Sequence, residues 1–118
     1  MWHFTLYSKK VKEFFYMKNK PELNNLDELY EAILTLETVD ECRQFFKDLC
    51  TIPELKALSQ RFKVAQMLTE NHVYSDIVGA TGASTATISR VNRSLSYDGA
   101  GGYGIAFERL KKHKKDNK

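Results

Sequence analysis

YSDIVGATGASTATISRVNRSL, residues 74–95, is the stretch on which the reading of this chain turns. Residues 74–81 have helical spacing but are too few to form a helix unaided, since isolated helices shorter than about 12–15 residues are marginal in water. Tertiary packing must therefore hold them. Gly82 supplies a left-handed backbone position that ends a helix cheaply, and Ser84 can cap the next helix with its hydroxyl. Two helices joined by about three residues have the geometry of a helix-turn-helix.

The second of these helices has two faces. Ile88, Val91 and Leu95 fall at i, i+3 and i+7, so they share one side and are expected to pack on Ile77 and Val78. The opposite side carries Ser84, Thr85, Ala86, Ser89, Arg90 and Arg93. Small side chains let a helix backbone sit deep in a groove, hydroxyls and a methyl can meet base edges, and arginines can pair with phosphate or guanine. That face is expected to read double-stranded DNA. A glycine bend between two amphipathic helices also occurs in proteins that never touch nucleic acid, and in that reading Arg90 and Arg93 are solvated surface. Charge and composition weigh between the two.

The 118 residues are 42% hydrophobic and 28% charged, values of a globular chain with a modest core that a dimer would enlarge. Five lysines and one glutamate occupy residues 1–20, whereas residues 21–50 hold two basic and eight acidic side chains. Residues 51–98 hold five basic and four acidic, and residues 99–118 six basic and two acidic. Net negative charge is thus confined to the first core helices, which turns one side of the molecule toward a polyanion and the other away.

Cys42 and Cys50 lie on one expected helix, about 12 Å of rise apart, so they cannot bond to each other and read as packing residues. His3, His72 and His113 are scattered and make no ligand set. No apolar run is long enough to cross a bilayer, and the opening MWHFTLYSKK places its lysines after the apolar residues, unlike a secretory signal. A cytoplasmic protein without membrane contact is expected. Residues 1–20 read as a flexible basic extension, with Met17 opening a segment that resembles a natural start.

A single all-helical domain is expected over 21–115, followed by a tail at 116–118. Asn25 with Glu28, Thr38 with Glu41, and Thr51 with Glu54 each have the spacing of a capping box. The first box opens a helix with Leu26, Leu29, Tyr30, Ile33 and Leu36 on one side. The second opens one whose buried stripe is Cys42, Phe45, Phe46 and Leu49. The third starts a longer helix to about Glu70, with Leu55, Leu58, Phe62, Ala65 and Leu68 inside. Connections near Thr38 and Thr51 are too short for these helices to close a core alone, so an interleaved homodimer is expected.

After Leu95, Gly99, Gly101 and Gly104 spell G-x-G-x-x-G. No strand precedes them and too little chain follows for a βαβ unit, so they read as a hinge. A last helix from about Tyr103 to His113 should turn Phe107 and Leu110 inward.

The runs LTLETVDECRQFFKDLCTIPELKALSQRFKVAQML (34–68) and TGASTATISRV (81–91) resemble the Trp-repressor-like superfamily, most closely its YerC/YecD branch, with the likeness extending from Leu29 to about Lys112. The resemblance implies about six helices in an intertwined homodimer whose fourth and fifth helices form the helix-turn-helix, over about 74–95. Trp repressor is itself a type example of such docking, with the recognition helices of a dimer entering major grooves about one DNA turn apart. It also implies base readout, direct or through water, by Thr85, Ala86 and Ser89. Arg61 and Arg90 match the arginines that sandwich the corepressor, and Thr51 and Ser94 match other pocket positions. Val91 stands where tryptophan-binding members carry Gly, and a branched side chain there should fill the slot, which speaks against tryptophan as corepressor.

The expected function is a sequence-specific DNA-binding regulator of repressor type. A helical interaction module without nucleic acid is the alternative, and an effector other than tryptophan a further option. No carboxylate pair, activated nucleophile or metal-ligand cluster stands at a readable spacing, so neither enzyme activity nor a cofactor is expected.

Overall fold

The computed structural model describes residues 21–117. Six helices and no strand occur among them: α1 (Pro21–Leu34), α2 (Val39–Leu49), α3 (Ile52–Thr69), α4 (Tyr74–Thr81), α5 (Thr85–Ser96) and α6 (Gly102–Asp116). The expected all-helical class stands. Residues 1–20, expected to form a basic extension, lie outside the described residues. The chain divides after Leu49 into two compact units.

In the first unit, α1 starts at Pro21, four residues before the expected cap. The helix thus already runs through Asn25, which is an interior residue, and its box with Glu28 does not form. The helix ends at Leu34, leaving Leu36 beyond it. There the Thr35 hydroxyl donates to the Ala32 carbonyl at 2.6 Å, satisfying one of the acceptors that a helix end leaves open. The Thr38 cap opening α2 does form, with the return bond from Glu41 going to the amide one residue before the cap. The Glu41 amide donates to Thr38 Oγ1 at 3.1 Å, and Glu41 Oε1 accepts from the Glu37 amide at 3.0 Å. Of the stripe expected to be buried on α2, Cys42, Phe45 and Phe46 are half-buried and Leu49 is exposed in the single chain. The rings of Phe45 and Phe46 meet edge to face, 5.6 Å apart.

The second unit holds the core. Thr51 caps α3, accepting from the Glu54 amide, and Pro53 sits in its first turn. The helix closes through Asn71 at φ 65°, a left-handed position that asparagine tolerates better than most, with the His72 amide donating to the Met67 carbonyl at 3.0 Å. Val64, Ala65 and Met67 of α3, Ile77 of α4, Ala83 of the turn, and Ile88 and Val91 of α5 are buried together. Leu68, Leu95, Tyr103 and Phe107 pack against them, and the Phe62 and Phe107 rings lie 5.2 Å apart, tying α6 to α3.

Two expectations about this core change. Leu58 and Phe62 are exposed in the single chain. Apolar residues on α3 occupy more than one side, and the side with Val64, Met67 and Leu68 is the one that meets α4 and α5. Val78 is 38% exposed, so Ile77 alone carries the burial of α4. The final helix runs from Gly102 to Asp116, beyond the expected limits at both ends, and Leu110 on it is exposed.

Candidate nucleic-acid interface

The turn between α4 and α5 is held from three directions. Gly82 adopts φ 70° and its amide donates to the Val78 carbonyl at 2.8 Å, ending α4 within a single residue. A side chain there would face left-handed strain that glycine avoids. Thr81 Oγ1 donates to the Ile77 carbonyl at 2.6 Å and accepts from the Ala83 amide at 3.1 Å. Finally, Gln60 Nε2 on α3 donates to the Thr81 carbonyl at 3.1 Å, fastening the turn to the helix behind it. With Ala83 buried beneath, the angle between the two short helices is fixed by hydrogen bonds as well as by packing.

Ser84 then starts α5. Its extended backbone and its oxygen, which accepts from the Thr87 amide at 3.1 Å, make it the N-cap, and it also donates to Thr87 Oγ1 at 3.0 Å. That cap leaves the next turn free to project outward. Ser84, Thr85, Ala86, Ser89, Arg90 and Arg93 are all exposed, while Ile88 and Val91 on the opposite side are buried. The six residues singled out in the sequence thus share one outer surface. Asn92, which the sequence reading passed over, is exposed beside them and offers an amide with both donor and acceptor.

Arg93 is not idle. Its guanidinium meets Asp98 at 3.0 Å, and both groups are well exposed, at 72% and 61%. Such a pair contributes little to stability and can be exchanged for another anion. Arg90 and Arg61 have no carboxylate partner among the described residues.

Arg61, Arg90, Val91, Ser94 and Tyr103 line an open recess of about 340 Å³. Three of the four candidate effector residues are therefore brought together. Thr51 does not line this recess, and its hydroxyl is occupied in capping α3. The Ser94 hydroxyl donates to the Arg90 carbonyl at 3.3 Å, and buried Val91 forms part of the floor. Among the described residues no group of His, Cys, Asp and Glu could hold a metal ion, and Cys42 and Cys50 are free. No described helix is long and apolar enough to cross a membrane.

Residues 24–111 match the family model described as Trp repressor protein. The chain belongs to the Trp repressor family. YerC of Bacillus subtilis (strain 168), an uncharacterized protein, is 52% identical over 86 residues, covering 73% of this chain and 82% of YerC. A TrpR-like protein from Eubacterium eligens ATCC 27750 superposes with a TM-score of 0.71 at 53% identity, over 80% of this chain and 93% of that one. A candidate Trp repressor from Staphylococcus aureus gives 0.71 at 51% identity, over 75% and 87% of the two chains. The resemblance read from residues 34–68 and 81–91 is thereby established, and the helical arrangement is that of Trp-repressor-type proteins.

Within this Trp repressor fold, sequence reasoning missed Gln60, Thr81, Asp98 and Tyr103. Thr81 was legible in principle, because a threonine just before a glycine turn commonly bonds its own backbone. Gln60 and Tyr103 were not, since each acts on residues remote along the chain.

Proposed function

We propose that this chain is a sequence-specific DNA-binding transcriptional regulator, a repressor by type, that acts as an intertwined homodimer in the cytoplasm and places α5 in the major groove. The observation that carries this reading is the two-sidedness of α5: a buried Ile88 and Val91 brace a fully exposed row from Ser84 to Arg93. Family membership supports it. Thr85, Ala86 and Ser89 take the base edges, directly or through water, while Arg90 and Arg93 take phosphate or guanine.

Dimerisation is supported by apolar side chains that the single chain leaves open. Leu34 is 83% and Val39 67% exposed, with Leu49 and Leu58 also exposed. Several such residues on successive helices are more than the scattered surface apolars of a monomer. Titrating protein onto labelled genomic fragments across a salt series tests the reading. Affinity should fall steeply with salt through counterion release, yet some fragments should keep an advantage over random duplex. Equal binding to every fragment would remove the specificity.

A second reading adds a small anionic effector at the recess, where Arg61 and Arg90 stand without carboxylate partners beside Ser94. Paired guanidinium groups suit a carboxylate or phosphate. Val91 fills part of the floor, so the ligand is expected to be something other than tryptophan. Thermal-shift titrations with amino acids, nucleotides and sugar phosphates test this, and a flat response to all three classes would eliminate it.

A further inference from the structure

A second basic surface lies on the far flank of α3. Between α3 and the end of α4 runs an open groove of about 580 Å³, with Ile52, Leu55 and Ala80 as its apolar lining, Lys56, Ser59, Gln60, Lys63 and Thr81 as its polar lining, and no acidic residue. Lys56, Gln60 and Lys63 fall at i, i+4 and i+7, so they share one side of the helix, with the two lysines about 10.5 Å apart along its axis. Neither lysine has a carboxylate partner among the described residues, whereas Arg43, Arg93 and Lys112 each have one. Lys63 Nζ donates to Gln66 Oε1 at 3.2 Å, which leaves two of its three donors free.

The position of this row is what gives it a purpose. Gln60, between the lysines, holds the Thr81 carbonyl, and Thr81 leads through Gly82 and Ala83 into Ser84 at the start of α5. Lys56 and Lys63 therefore stand beside the end of α4, where the turn into the proposed recognition helix begins. Arg90 and Arg93 stand farther along it. We propose that Lys56 and Lys63 form a phosphate-binding row that grips the DNA backbone on one side of the major groove while Arg90 and Arg93 serve the other. This rests on the reading of α5 as a DNA-reading helix. Duplex backbone is the occupant favoured by charge complementarity, and two lysines spaced about 10.5 Å apart along the helix, on the order of the axial rise of three nucleotide steps, can each meet a different phosphate of one strand. Contacts of this kind set register and orientation without reading sequence.

The test compares the wild-type protein with the pair Lys56→Gln and Lys63→Gln, using fluorescence anisotropy on two labelled duplexes across a salt series. One duplex carries a site selected from a random pool and the other a scrambled sequence. The slope of log affinity against log salt should fall by about 2 for each protomer. Affinity for both duplexes should drop by the same factor, with the ratio between them kept. The pair Lys56→Arg and Lys63→Arg should restore the slope, and an unchanged thermal midpoint would show that folding is intact. A wild type that binds, beside a Gln variant with the same slope, overturns the phosphate row and leaves the regulator reading standing. Loss on the selected duplex alone would also overturn it, because the lysines would then be reading bases. Failure of the wild type to bind either duplex removes both.

Discussion

Arg93 and Ile88 lie on the same helix and carry opposite duties. Ile88 is fully buried against Val64 and Ile77, so Ile88→Ala should cost about 2–5 kcal/mol through lost transfer energy and a residual cavity. Chemical denaturation should record this as a lower midpoint with little change in slope. Changing Arg90 and Arg93 together to Ala should leave stability within about 0.5 kcal/mol, since both are exposed, yet abolish tight DNA binding. If the double variant instead kept full affinity for duplex, the outer face would be ordinary surface. Asp98 gives a finer probe of the same residue. Its bond to Arg93 competes with phosphate, so Asp98→Asn should tighten DNA binding at low salt while shifting stability by less than about 1 kcal/mol.

At the level of elements, the helix-turn-helix depends on devices that are local in the chain. Gly82→Ala must place a side chain at φ 70°, which should cost about 1 kcal/mol. Ser84→Ala removes the acceptor for the Thr87 amide, and a loss of about 1 kcal/mol is expected. Thermal melts would check both, and an unperturbed melt for Gly82→Ala would show that the turn relaxes. Gly99 tests the other end of α5, because a Cβ there would lie 1.6 Å from the Ser94 carbonyl oxygen and the loop before α6 would have to move.

These local devices explain what was legible in the sequence. Thr38, Thr51, Gly82 and Ser84 each act on a backbone group within four residues, so their spacing reveals them. Asn25 misled because the helix already runs through it from Pro21, and a cap-like residue inside a helix has the same local spacing as a true cap. Helical periodicity also says which side chains share a side but not which side is covered. On α3, Leu58 and Phe62 compete with Val64 and Met67, and only contact with α4 and α5 separates them. The Gln60 bond to Thr81 spans 21 residues and leaves no trace in composition or spacing. For the candidate site, the outer face of α5 could be read directly, whereas the convergence of Arg61 with Arg90 was carried by family likeness.

For the whole molecule, the proposed dimer and the proposed DNA reading are linked. The proposed dimer would cover apolar side chains left exposed on α1, α2 and α3, and a twofold assembly would present α5 twice. Replacing Leu34 and Leu58 with polar residues should therefore lower the oligomeric mass measured by light scattering and weaken DNA binding in step. A dimer unaffected by those changes would place its interface elsewhere. The most direct measurement is selection of bound duplexes from a random pool by the full chain. Enrichment of twofold-related half-sites centred about 10–10.5 base pairs apart, one turn of DNA, is expected. Recovery of no preferred sequence, or of single unpaired half-sites, would contradict it.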